Sequence, residues 1–165
     1  MIYDRFASGL NTIPLIAPVD TAATAIQGNI KLGGSHGGTA FVFFGANTAA
    51  SADQSVIVTV EAATSSASTT AAAVVFNYRL SGAVGDNTWG AITAASVTGV
   101  PIVISTNNNM MLAIDIDPSK FLAAKADTTH MRVVVTPDAG GTATLVAAWA
   151  QLEPRVSQSV MISAT

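Results

Sequence analysis

The sequence contains no cysteine, which excludes disulfide bonds, thiolate metal sites and a cysteine nucleophile. Charged residues make up only 10% of the 165 residues, against roughly 25% in an ordinary soluble domain. Aromatic residues are also scarce, at 6% of the chain. So little charge predicts a neutral surface. Thr, Ser and Asn could solvate such a surface, but we favour a subunit whose surface is largely covered by neighbouring subunits.

Basic side chains are few, and the net charge is −3. Because no cluster of Lys or Arg exists to neutralise phosphates, we expect no nucleic-acid partner. The longest stretch without acidic or basic residues, 87–114, contains Gly90, Gly99 and Pro101, which would interrupt a spanning helix. We therefore expect no membrane partner. The seven basic residues, each isolated in the sequence, are Arg5, Lys31, Arg79, Lys120, Lys125, Arg132 and Arg155.

Short β-like runs and turns alternate from residue 22 onward. The run 55–62 alternates cleanly, and the continuous apolar run 39–45 predicts a strand that is buried on both faces. Pro118, preceded by Asp117 as N-cap, predicts one short helical turn near 118–124. Eight or nine short strands without a long helix predict an all-β protein, an antiparallel β-sandwich of jelly-roll type. An immunoglobulin-like sandwich normally has fewer strands.

The chain divides into an extended N-terminal arm (1–21), a sandwich domain (22–154) and a C-terminal tail (155–165). Pro14 and Pro18 disfavour a helix in the arm, which is nevertheless rich in apolar residues. We predict that the arm packs mainly on another subunit, because the inner faces of its own sandwich are filled by its own strands. The alternative is an edge strand within its own domain. The arm residues predicted to form this interface are Tyr3, Phe6, Leu10, Ile13, Leu15 and Ile16.

The strand pattern also predicts which side chains form the core. Residues 62–73, rich in Ala, Ser and Thr, are predicted to form a long exposed turn outside it. Trp89 and Trp149 are interpreted as core or interface anchors rather than platforms for sugars, because ten aromatic residues must serve the whole core. The predicted core consists of Val56, Val58, Val60, Phe76, Val133, Val135, Leu145 and Trp149, with Phe43 or Phe44.

Residues that carry chemistry are sparse. His36 lies in a glycine-rich turn and His130 precedes a strand, without metal-ligand spacing. Asp115 and Asp117 point to the same face of a strand and could hold Ca²⁺ or serve acid–base catalysis. We favour Asp117 as the helix cap, with Asp115 solvated or paired with a base such as Arg132, because a Ca²⁺ site needs six or more oxygens. We predict a protein that is not an enzyme, with no catalytic residues, cofactor or metal.

Several segments carry a family likeness: FNYRLSGAVGDNTWGAITA (76–94), MMLAIDIDP (110–118), MRVVVTPDAGGTATLVAAWAQLEPR (131–155) and the closing SAT. They resemble small structural proteins encoded beside capsid genes in tailed bacteriophages. The resemblance covers roughly half of the chain. It implies a head decoration (cement or auxiliary capsid) protein with a β-rich, jelly-roll-type domain and an extended terminal arm. It implies no catalytic residues.

The leading hypothesis is therefore a capsid decoration subunit that self-associates, as a trimer, and binds the major capsid protein on the virion surface. Without a signal peptide at its start, it would be made in the host cytoplasm. One alternative is a tail or minor coat component. Another is a carbohydrate-binding jelly-roll module for attachment to a host surface, which predicts a groove with exposed Trp89 or Tyr78 near Asp115 or Asp117.

Overall fold

The computed structural model describes residues 10–21, 24–33, 35–45, 55–83, 85–107, 109–137 and 144–154. They form eleven strands and one short helix. The strands are β1 (Asn11–Asp20), β2 (Ile26–Lys31), β3 (Ser35–Phe44), β4 (Ser55–Ala63), β5 (Ala72–Ala73), β6 (Phe76–Leu80), β7 (Thr93–Ala95), β8 (Val100–Val103), β9 (Met110–Ile116), β10 (His130–Pro137) and β11 (Leu145–Pro154), and the helix α1 (Pro118–Ala124) lies between β9 and β10.

The strands form two antiparallel sheets that pack as a sandwich. The six-stranded sheet has the order β1-β11-β3-β9-β6-β7, and the five-stranded sheet has the order β2-β10-β4-β5, with β8 also paired to β4. When β5, β6 and β7 are left out, eight strands remain, which we count in chain order. The first, eighth, third and sixth of them (β1, β11, β3 and β9) form one sheet, and the second, seventh, fourth and fifth (β2, β10, β4 and β8) form the other. This is the strand order of a jelly roll. The predicted sandwich is confirmed, with eleven strands rather than eight or nine, because an insertion between β4 and β8 adds three.

The core lies between the two inner faces, and most of its predicted members are confirmed. Alternate residues of β4 point inward and pair with alternate residues of β10, as Val58 does with Val135. The run 39–45, predicted to be buried on both faces, is fully buried on one face only: Val42 and Phe44 are buried, while Phe41 and Phe43 are half-buried on the outer face. The predicted core residues that are buried are Val56, Val58, Val60, Phe76, Val133, Val135 and Phe44.

The prediction is wrong for β11, where the two side chains assigned to the core, Leu145 and Trp149, point outward. Leu145 is 46% exposed and Trp149 is half-buried. The inward positions belong to Val146, Ala148, Ala150 and Leu152, because directly paired residues share a face and Ala150 pairs with the buried Ala40. Side-chain size therefore misassigned the faces of this strand, and the bulk of the core comes from its neighbours.

The prediction of an arm that packs on another subunit is wrong for residues 11–20. These residues form β1, which pairs with β11 at the edge of the six-stranded sheet. Ile16 is buried, Ile13 and Leu15 pack against the core, and Leu10 is 47% exposed. The edge-strand alternative is correct because β11 offers β1 both backbone partners and apolar surface within the same chain. The predicted boundary at residue 21 therefore divides one sandwich, whereas Tyr3, Phe6 and the tail 155–165 lie outside the described residues.

The helix begins as predicted, with Pro118 in its first turn and Asp117 as N-cap. The backbone N–H of Ser119 donates to Asp117 Oδ1 (2.9 Å), and the Ser119 hydroxyl donates to the same oxygen (2.7 Å). The hydroxyl bond, followed by the backbone bond, lowers the pKa of Asp117 below its usual value. Phe121, buried in the core, fixes the helix against the sandwich.

Arg132 fastens residues 64–71 to the outer face of the five-stranded sheet. These residues are the part of the predicted 62–73 turn that lies between strands; the prediction is wrong for Ala62 and Ala63, which are buried at the end of β4, and for Ala72 and Ala73, which form β5. The Arg132 guanidinium donates to Asn29 Oδ1 (3.0 Å), Glu61 Oε2 (3.3 Å) and the Ser68 carbonyl (2.6 Å), and the residue is 7% exposed. The suggested pairing of Arg132 with Asp115 is wrong because the two side chains lie on the outer faces of different sheets.

Candidate functional site

Three aromatic rings lie together on the outer face of the six-stranded sheet. Phe41 of β3 pairs directly with Trp149 of β11, and their rings stack with centroids 5.5 Å apart and an interplanar angle of 22°. The ring of Trp89 lies 6.3 Å from that of Phe41 at an angle of 54°, and Trp89 is 39% exposed. We call Phe41, Trp89 and Trp149 the aromatic cluster.

The aromatic cluster shows that Trp89 and Trp149 lie outside the core, so that part of the interpretation is wrong, whereas their role as interface anchors stays a prediction. Within the described residues, Val, Ile, Leu and Ala supply most of the buried side chains. This arrangement leaves the tryptophans free for the surface, where exposed aromatic residues commonly mark a binding site. Strand parity could have revealed it, since Phe41 lies between the buried Ala40 and Val42.

The insertion between β4 and β8 brings Trp89 to this face. Its strand β6 extends the sheet beside β9, with Arg79 paired to Ala113. The chain then turns back, so that Ser81 bridges to Trp89 and the Gly90 N–H donates to the Leu80 carbonyl (2.8 Å). Residues 89–92 form this return, and the next strand, β7, begins only at Thr93.

Two adjoining clefts lie beside the aromatic cluster. The first has a volume of about 320 Å³ and the second about 400 Å³. Both are lined by Thr39 and Asp115, so the two clefts adjoin, and we call them together the outer-face groove. The first cleft is also lined by Asn77, Tyr78, Arg79, Ile92 and Ala113, and the second by His36, Gly37, Gly38, Ile116, Asp117 and Glu153.

The aromatic cluster and the outer-face groove are contiguous through the sheet register. Phe41 pairs with Trp149 on one side and with Ala113, which lines the first cleft, on the other. Asn77 and Arg79 point to this face because they alternate with Phe76 and Tyr78, which pack inward. This alternation is visible in the local sequence, but the local sequence does not show that β9 is the strand beside β6.

The first cleft of the outer-face groove is lined mainly by apolar surface and the second by polar surface, and together they carry more negative than positive charge. Asp115, Asp117 and Glu153 supply three carboxylates, against the Arg79 guanidinium and the His36 imidazole. Asp115 is exposed, and Asp117 is the helix cap described above. Within the described ranges, no group of three or more His, Asp or Glu side chains is placed to hold a metal ion.

The remaining predicted site residues lie away from the outer-face groove. Leu10, Ile13, Leu15 and Ile16 belong to the β1 edge of the sandwich. The His130 ring nitrogen Nδ1 is hydrogen-bonded to the Thr129 hydroxyl (2.7 Å). The arm residues and the groove therefore form separate surfaces.

No helix in the described part of the chain is long and apolar enough to cross a membrane. Comparisons with protein-family models, with curated proteins and with solved structures find no match for this chain.

Proposed function

We propose that this chain is a non-enzymatic structural subunit of a virus particle: a head decoration protein that self-associates as a trimer and binds the major capsid protein. The jelly-roll sandwich agrees with what the sequence resemblance implies for the fold. The resemblance to phage structural proteins itself stays a prediction. The surface of the sandwich provides the physical support.

The observation that carries the proposal is apolar exposure on several sides of the molecule. Val19 and Leu145 are exposed at neighbouring positions on β1 and β11, Ile57 on the outer face of the five-stranded sheet, and Leu122 on the helix. The whole chain has only 7 basic and 10 acidic residues, so charge repulsion does little to prevent this surface from associating with neighbouring molecules. Exposed apolar side chains in so neutral a surface fit a subunit that contacts several neighbours at once.

Stabilisation would come from added buried area. A specific protein–protein interface buries roughly 1,600 Å². A decoration subunit that forms such contacts with two or more coat subunits links them, so the coat cannot separate under internal genome pressure without breaking the added interfaces. This role requires surface complementarity and no catalytic group.

The proposal is tested by heating particles with and without this protein and measuring genome release. Particles that lack the protein are expected to release their genome at a lower temperature, and purified protein added back is expected to restore the original temperature. Equal release temperatures would refute a decoration role.

Self-association is tested separately by sedimentation of the purified chain over a range of concentrations. The expected result is a trimer. A monomer at every concentration would refute the self-association part of the proposal.

A further inference from the structure

We infer that the outer-face groove binds an uncharged oligosaccharide, with the aromatic cluster as a stacking platform. The inference does not depend on the decoration role. It rests on an exposed tryptophan beside a cleft that presents both hydrogen-bond donors and acceptors.

The aromatic cluster suits the apolar face of a sugar ring. Trp89 is 39% exposed, and the Phe41 and Trp149 rings stack beside it as a broader platform. An aromatic face is electron-rich and attracts the polarised C–H groups that line one side of a pyranose. The backbone at Trp89 is held by the β-bridge to Ser81, and its ring contacts that of Phe41 at 6.3 Å, so part of the ordering cost is met before a ligand binds.

The polar side chains of the first cleft suit sugar hydroxyls. Arg79 and Asn77 offer N–H donors, Asp115 offers acceptors and Thr39 offers a hydroxyl that does both. Each sugar hydroxyl is itself a donor and an acceptor, so a mixed set of groups satisfies it better than a set of one kind. The volume of about 320 Å³ lies at the lower end of the range for small-ligand sites.

The second cleft extends the site beyond one ring. It continues from Thr39 and Asp115 to Asp117 and Glu153, and its volume is about 400 Å³. An oligosaccharide could therefore run from the aromatic cluster along both clefts.

The charges select among sugars. The three carboxylates of the groove outnumber its one guanidinium, and they repel an anionic ligand. Sialylated and uronic-acid-containing chains are therefore disfavoured, and so are nucleic acids. The class that remains is a neutral oligosaccharide.

The test begins with the full-length protein on a glycan array that carries neutral, sialylated and sulfated oligosaccharides. The neutral glycans that bind are then titrated against the protein by intrinsic fluorescence. Both tryptophans of the chain, Trp89 and Trp149, belong to the aromatic cluster, so their emission reports directly on the site.

Trp89→Ala and Asp115→Asn are each expected to weaken binding at least about tenfold. The matched controls are Leu122→Ala and Asp127→Asn, which remove an exposed apolar side chain and an exposed carboxylate outside the groove and should bind like the unmodified chain. Thermal unfolding of each variant checks that the fold is retained, and calorimetry replaces fluorescence for Trp89→Ala.

Three results would overturn the inference. The first is an array with no neutral glycan bound. The second is binding that survives both groove substitutions. The third is a Trp89→Ala variant that dissociates an oligomer while no glycan binds, which would show that a second copy of the chain covers this face.

Discussion

Phe76 and Trp149 test the assignment of the two sheet faces, because both aromatic residues were expected in the core and only one lies there. Phe76 is 2% exposed, with its ring 6.4 Å from that of Tyr78. Phe76→Ala leaves a cavity between the sheets and is expected to cost about 3–5 kcal/mol. Trp149 is half-buried on the outer face, so Trp149→Ala loses the stack with Phe41 and part of its apolar contact, about 1–2 kcal/mol.

Urea unfolding measures the free energy of unfolding of both variants. All samples are kept at the same low protein concentration, so that self-association contributes equally to every variant. The Phe76→Ala variant should show a lower midpoint with an unchanged slope. For a domain whose whole stability is roughly 5–15 kcal/mol, that loss is easily resolved. A loss below about 1 kcal/mol for Phe76→Ala, or an equal loss for Trp149→Ala, would refute the assignment of the faces.

Three further predictions concern Asp117, Arg132 and Gly38. Asp117→Ala should lower the free energy of unfolding by about 1 kcal/mol at pH 7. Because folding lowers the pKa of Asp117 below 3.8, this stabilisation is present above that pH and disappears as the pH falls through the folded-state pKa. A pH series of urea unfolding tests this prediction. Arg132→Met should cost about 2–4 kcal/mol in the same unfolding assay, with little rescue by Lys, which lacks the planar guanidinium. Gly38→Ala should lower the melting temperature far more than Gly85→Ala, because an added Cβ at Gly38 would overlap the Gln151 carbonyl oxygen, whereas Gly85 has open space and only the strain of a positive φ. Equal melting temperatures for the two glycine variants would contradict this account of the β3–β11 contact.

Local patterns were sufficient to predict the strands and the helix start. The alternation of Val56, Val58 and Val60 with Ile57, Thr59 and Glu61 identified both β4 and its inner face. Asp117 followed by proline identified the helix cap, since both preferences act within one turn.

Pairing between distant segments could not be predicted in the same way. The faces of β11 depend on its register against β3, more than a hundred residues away, and the alternating Ala and large residues of β11 fit either face. The N-terminal prolines removed the helical alternative but did not distinguish an intermolecular arm from an edge strand. Only the presence of β11 beside Ile13 and Ile16 decides that question.

The outer-face groove depends on the same long-range information. Its cleft joins Thr39 of β3, Arg79 of the insertion and Asp115 of β9, three residues on separate strands. Nothing in the local sequence around any one of them indicates the other two. Aromatic scarcity gave the wrong expectation for Trp149, which was placed in the core, because small aliphatic residues fill so much of this core.

The most direct measurement of the central claim is an image reconstruction of assembled particles that contain this protein. The account predicts density for a jelly-roll sandwich, repeated on the outside of the head and in contact with the major capsid protein. Density confined to the tail, or heads that carry no such sandwich, would contradict the proposed decoration role.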